Sequence, residues 1–176
     1  MTTESLSFGA GSSRVGRLLV VSGPAGVAAI LFAKTPALLL ERLEKMFPNT
    51  RIEHDERRNA KAVAAVCAFI VDPANRLDLT LDVRGTAFQQ RVWREVRRIP
   101  MGRTVTFTEI AQKVGAPKAM RAVGSACTRN PLAIAIPCHR VVHADGSMSS
   151  GPWGDDNQRE ILARERDAAG KRGSKR

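Results

Sequence analysis

The sequence contains no tyrosine, so no phenolic hydroxyl is available anywhere as a donor, and aromatic residues are scarce at 5%. Its three cysteines, Cys67, Cys127 and Cys138, stand at unrelated spacings. They make neither a disulfide framework nor a CxxC pair. His54, His139 and His143 are equally scattered, so no four-ligand zinc cluster is readable. No apolar run approaches the roughly 18 residues of a membrane span, and no leader pattern opens the chain. The expectation is a soluble protein in a reducing, intracellular setting. Acidic residues are also in deficit, 17 against 28 Lys and Arg, for a net charge of +11. The deficit is local. Residues 1–85 carry 11 basic and 9 acidic groups, whereas residues 86–176 carry 17 and 8, a net of +9. A basic half-chain is the electrostatic footprint of a polyanion binder, and nucleic acid is the commonest such partner. A merely solubilising surface is the competing reading.

With 176 residues and 43% hydrophobic content, the chain can hold one ordinary domain or two small packed ones. Its first dozen residues are small and polar and are expected to fray. Two β-rich runs between Gly16 and Phe32, separated by Gly23-Pro24-Ala25, read as a hairpin. Thr35-Pro36 starts a helix with Leu38, Leu39, Leu43 and Met46 at helical spacing. A short strand near 51–54, an Ala-rich helix near 59–70 with Cys67 as a core residue, and a strand over 77–83 follow. Residues 1–84 thus read as a small α/β domain.

Residues 85–176 read as a second domain. Thr86 N-caps a helix over 87–98 that buries Phe88, Val92, Val96 and Ile99, and Pro100 stops it. Helices near 108–114 and 118–129, joined by Gly115-Ala116-Pro117, suggest a helix-turn-helix. After Arg121 the second of these is nearly bare, with Ala122, Gly124, Ser125 and Ala126. Such a helix can approach a groove wall closely, or simply pack tightly in a core. Asn130-Pro131 ends it, and the apolar run LAIAI, read as a strand, leads to Pro137-Cys138-His139-Arg140. A thiol attacks only as thiolate, so a histidine able to take its proton, itself held by a carboxylate, would make Cys138 a nucleophile.

IPCHRVV preceded by Asn130-Pro131, together with GTAFQQRVW, PKAMRAVGSA and a later Trp153-Gly154 before a helix, resembles the O6-alkylguanine-DNA alkyltransferases (methylated-DNA–protein-cysteine methyltransferases), in particular the carboxy-terminal half of bacterial Ada. The likeness runs from about Gly16 to Glu165. It implies an α/β fold: a ribonuclease-H-like amino-terminal domain, 1–84, then a mostly helical DNA-binding domain, 85–176, with a winged helix-turn-helix. It implies DNA repair by single, irreversible transfer of an alkyl group from O6-alkylguanine, and from O4-alkylthymine as a further substrate, to Cys138. By resemblance His139 is the base acting through a bound water, Glu165 the carboxylate that orients it, and Asn130 a hinge bonded to the active-site turn. Arg121 replaces the extruded base in duplex DNA, with Phe107, Lys118, Ala122 and Gly124 on the same DNA-facing surface. Val141, Ser150, Gly151 and Pro152 frame the base pocket. No cofactor and no metal are implied, and a low-pKa thiolate is. The implied partner is double-stranded DNA carrying alkylated guanine, engaged by a monomer in the bacterial cytoplasm, with no membrane partner.

Two positions depart from the family. Phe107 stands where a tyrosine is usual, and Gly151-Pro152 stands where Tyr-Arg is usual. Both changes remove aromatic or hydrogen-bonding groups beside the target base. They leave open a second reading, an alkyl-lesion-binding or regulatory DNA-binding protein with weak or no transfer. His143, outside the motif, reads as a loop residue, and Cys127 as filler in a buried helix.

Overall fold

The computed structural model describes residues 5–149, 151 and 153–173. The backbone divides into two units: residues up to Val83 together with Pro131–Ala133, and Arg84–Asn130 together with the described residues from Ile134 onward.

The first unit is built on a four-stranded sheet ordered β3-β2-β1-β4. Strands β1 (Leu6–Ser13), β2 (Gly16–Gly23) and β3 (Gly26–Ala33) form an antiparallel meander, and β4 (Ile52–His54) pairs parallel to β1. Residues 6–12 are therefore not frayed; residues 1–4 lie outside the described residues. The alternation of β1 puts Leu6 into the core at 1% exposure, and the β2 ladder satisfies its backbone groups. Helix α1 (Pro36–Met46) begins where expected, with Thr35 as N-cap accepting from the Leu38 amide. Its Leu39 and Leu43 pack in one cluster with Leu6, Leu19, Val21, Ala29 and Leu31 of the sheet. Helix α2 (Glu56–Val71) packs on β1 at the glycines. A Cβ at Gly9 would lie 2.7 Å from the Asn59 Cβ, and one at Gly11 would lie 2.8 Å from Val63 Cγ1. Only glycine admits the helix that closely.

Three expectations fail here. Cys67 is half-buried rather than a core residue, its Sγ donating to the Ser12 carbonyl. Residues 77–83 form no strand, only one bridge between Leu81 and Val27 with the amide of Val27 on Thr80 and that of Asp82 on Val27. The run 132–136 is not a strand either. Leu132 bridges Ile30, and Ile134 turns the chain with a φ of 61°. Apolar composition signalled burial in both places, but each segment has one β3 residue to pair with and no continuous ladder.

The second unit starts with α3 (Ala87–Arg97), closed by a capping box in which Thr86 and Gln89 exchange side-chain and backbone bonds. Val92, Trp93 and Val96 are buried, and Trp93 Nε1 donates to the Ala126 carbonyl at 2.9 Å, tying α3 to α5. Strand β5 (Val105–Thr106) leads directly into α4 (Phe107–Lys113), with Thr106 and Glu109 forming a second capping box. A turn at Gly115 (φ 75°) precedes α5 (Met120–Thr128). Cys138–Arg140 form a single 3₁₀ turn, β6 (Val141–Val142) pairs parallel to β5, and α6 (Asp155–Gly173) closes the unit.

Candidate active site

The 3₁₀ turn gives Cys138 and His139 different surroundings. The Asn130 side chain, 7% exposed at the end of α5, fixes the approach to this turn. Its Nδ2 donates to the Ile136 carbonyl at 2.8 Å and to Cys138 Sγ at 3.4 Å. On the other side of Cys138 lies Cys127 of α5, 4% exposed and lining the same cavity. The neighbouring Cys127 thiol first, and then burial, push the Cys138 thiol well above the usual cysteine range. The Asn130 amide pulls the other way. The resting nucleophile is thus a thiol. The low-pKa thiolate implied by the resemblance is not what this environment stabilises, and the proton must leave as the sulfur reacts.

His139 is fully buried, and its Nε2 lies 2.7 Å from Glu165 Oε1. Glu165, also fully buried, is surrounded by donors. Arg140 Nε donates to Oε2 at 2.8 Å, Arg140 Nη2 donates to Oε1 at 2.8 Å, and the Gly102 amide donates to Oε2 at 3.2 Å. Burial alone would raise this carboxyl, but the bonds from His139 and Arg140 outweigh it and bring its pKa down to about 2. An ionised carboxylate only accepts, so His139 Nε2 carries the ring proton toward it. The lone pair then sits on Nδ1, a buried atom with no bonding partner among the described residues. That nitrogen is the one available as a base. The His139 ring is further held edge-on by Trp153, with centroids 5.8 Å apart and planes at 83°.

Cys138 opens onto a small cavity of about 10 Å³ lined by Cys127, Asn130, Ile134, Ser149, Gly151 and Gln158, among others. This is room for a single water at most. Val141 lies in β6 at 1% exposure and is not among the residues that line this small cavity. Phe107, assigned to the DNA-facing surface, is 3% exposed, with its ring centroid 5.0 Å from that of His143. It starts α4 and faces the interior because positions 107, 110 and 111 form the buried face of that helix. Arg121 and Ala122 are exposed on α5, Gly124 is half-buried with open space over its Cα, and Lys118 is exposed in the turn before the helix. Ser150 and Pro152 lie outside the described residues. Among the described residues no group of three or more His, Cys, Asp or Glu side chains could hold a metal ion.

Four contributors were given no role at the site by the sequence: Arg140, Cys127, Gln158 and the Gly102 amide. Arg140 was signalled only by its position inside an otherwise apolar motif. Gln158 falls on the same helical face as Ile161, Leu162 and Glu165, a periodicity that places it inward.

The site is therefore that of a protein-thiol acceptor: a cysteine held by an amide and followed in sequence by a histidine, whose basic nitrogen is set by a buried carboxylate. Residues 87–167 match the model of the 6-O-methylguanine DNA methyltransferase DNA-binding domain. The chain is 44% identical over 151 residues to the bifunctional transcriptional activator/DNA repair enzyme Ada of Escherichia coli, covering 86% of this chain and 43% of that protein. It therefore spans less than half of that relative's length. A methylated-DNA–protein-cysteine methyltransferase of Mycolicibacterium paratuberculosis is 39% identical over 149 residues, 83% of this chain and 90% of the relative. The crystal structure of the Mycobacterium tuberculosis OGT in complex with DNA superposes with a TM-score of 0.77 at 31% identity, covering 92% of this chain and 94% of that one. The chain belongs to the methylated-DNA–protein-cysteine methyltransferase family, and its mixed α/β fold, a small sheet with helices, is that of the family.

Proposed function

We propose that this protein repairs DNA by accepting, once and irreversibly, the alkyl group of O6-alkylguanine on Cys138. The observation that carries the proposal is the division of roles around the 3₁₀ turn. Asn130 holds the sulfur, while Glu165 and Arg140 leave His139 with its lone pair on Nδ1. The Cys138 S–H proton passes to that nitrogen, directly or through a water, as the sulfur attacks the alkyl carbon. The S–C bond forms, the C–O6 bond breaks, and the electron pair returns to guanine, which takes up a proton. A thioether resists the reductants that open disulfides, so the site is spent after one event. No metal or organic cofactor takes part in this scheme.

In this reading the first unit is the ribonuclease-H-like domain, and α4, the turn and α5 are the helix-turn-helix of a winged DNA-binding domain. Double-stranded DNA meets the exposed face of α5, where Arg121 fills the place of an extruded base and the short side chains of Ala122 and Gly124 allow a close approach. Lys118 contributes to phosphate attraction. The protein works as a monomer in the bacterial cytoplasm, with O4-alkylthymine as a further substrate. Incubation with a duplex containing one O6-methylguanine tests the reading. The intact mass should rise by one methyl, located by peptide mapping on Cys138, and Cys138→Ser should gain nothing while binding duplex within a few-fold. A wild type that binds the lesion without gaining mass would turn the assignment to lesion binding without repair.

A further inference from the structure

We propose that Gln158 reads the damaged base: the cavity at Cys138 as it stands admits only a water, and when it widens to take the base the Gln158 carboxamide beside it pairs with the N1 and 2-amino edge of O6-alkylguanine. The proposal rests on the transfer reaction above. Gln158 is 3% exposed and lines the cavity together with Cys138, Asn130, Gly151 and Trp153. A buried carboxamide is costly unless its donors and acceptor are used. Its one side-chain bond among the described residues is a long one, Nε2 donating to the Ser149 carbonyl at 3.3 Å. Among the described residues, its other N–H and its Oε1 carbonyl make no side-chain bond and are open to another partner.

Gly151 supplies the second observation. An ideal Cβ there would lie 2.2 Å from Gln158 Nε2 and 3.0 Å from its Cδ. The backbone at 151 is not in the left-handed region that would itself demand glycine. What a missing side chain at 151 provides is room for the carboxamide. The substitution that looks like a lost aromatic wall thus accompanies a gained polar one.

The recognition chemistry follows from alkylation itself. In guanine N1 carries a proton and donates. With an alkyl group on O6, N1 loses that proton and becomes an acceptor beside the 2-amino donor. A carboxamide presents a donor and an acceptor side by side, the complementary pair, as it does in bidentate contacts with bases. Unmodified guanine would set its N1–H against the Nε2–H. The same side chain that accepts the lesion therefore rejects the normal base.

Single-turnover transfer to Cys138 should be followed with two duplexes, one carrying O6-methylguanine and one carrying O6-methylhypoxanthine, which lacks only the 2-amino group. Wild type should be slowed roughly tenfold by loss of that group, the effect of leaving one buried acceptor unpaired. Gln158→Leu, which keeps the volume, should transfer the methylguanine roughly tenfold more slowly and lose the difference between the two duplexes. Gly151→Ala approaches the same pair from the other side: its Cβ displaces the carboxamide, so it too should lose the 2-amino dependence without altering the inner face of α6. An undiminished 2-amino dependence in both variants would overturn the proposal. So would faster transfer by Gln158→Leu, which would make the carboxamide a plug. If wild type transfers to neither duplex, the repair reading falls as well, and that failure is visible in the wild type alone.

Discussion

Glu165 Oε1 lies 2.7 Å from His139 Nε2 with both side chains fully buried, and the carboxylate is held ionised by three further bonds, two from Arg140 and one from the Gly102 amide. The relationship has a consequence for acid stability. The carboxyl's ordinary pKa of 4.5 falls to about 2 in the fold. A depressed carboxylate contributes stability that is fully present above its unfolded value and is lost as pH falls through its folded value. The contribution is on the order of 3 kcal/mol. Denaturant midpoints should therefore fall between pH 4.5 and about 2. Glu165→Gln should start lower at neutral pH and show a flatter decline. A wild-type-like acid slope in that variant would mean that other carboxyls dominate.

Arg140 is the counterion of that carboxylate and also donates Nη1 to the Ile99 carbonyl at 2.6 Å. Removing it leaves Glu165 buried with a charge and too few donors. Arg140→Ala should cost about 3–5 kcal/mol of stability, the range for breaking a buried pair. Arg140→Lys should also be destabilising, because a single ammonium cannot make the two-pronged contact. Chemical denaturation gives both values, and a Lys variant as stable as wild type would show that charge alone suffices.

The sequence made the nucleophile, the histidine and the amide of Asn130 legible because they sit within nine residues of one another in a motif. Glu165 was reachable by counting from Trp153-Gly154. Arg140 was not, because a charged residue in an apolar motif reads as exposed unless its buried partner is known, and that partner lies 25 residues away. Cys127 was legible as a buried helix residue, but its contact with Cys138 depends on a turn at Ile134 that composition does not reveal. Phe107 is buried for a different reason: it opens α4 on the face that Ile110 and Ala111 continue, and a helix of seven residues is too short for its periodicity to show which face is inward. In the first unit, β1 was misjudged because small residues that look like a polar tail are what α2 requires for close packing.

Exposed Arg121 and the net +9 of residues 86–176 bear on DNA affinity. Phosphate contacts release counterions, so for about four contacts the slope of log K against log salt should be near −3.6. A flat response would remove the basic half as a DNA face. Arg121→Ala should slow transfer from duplex more than transfer from the free alkylated base, because only the duplex substrate requires a gap to be filled. Equal losses on the two substrates would contradict that role.

Cys127 sets the resting state of the nucleophile. Its thiol is the foremost cause of the raised Cys138 pKa, ahead of burial, and Asn130 is the opposing influence. Cys127→Ala removes the neighbouring thiol but keeps most of the burial and all of the amide. The Cys138 pKa should then fall, still held above the ordinary value by desolvation. Alkylation of Cys138 by iodoacetamide, located by peptide mapping across a pH series, reads this directly. The variant's profile should shift to lower pH, with faster modification at neutral pH than in wild type. Asn130→Ala should shift the profile the opposite way, since it removes an amide that favours the thiolate. The two shifts have opposite signs, and a general loosening of the site would speed modification in both variants. Parallel acceleration would therefore show that access, rather than the thiol's surroundings, limits the reactivity of Cys138.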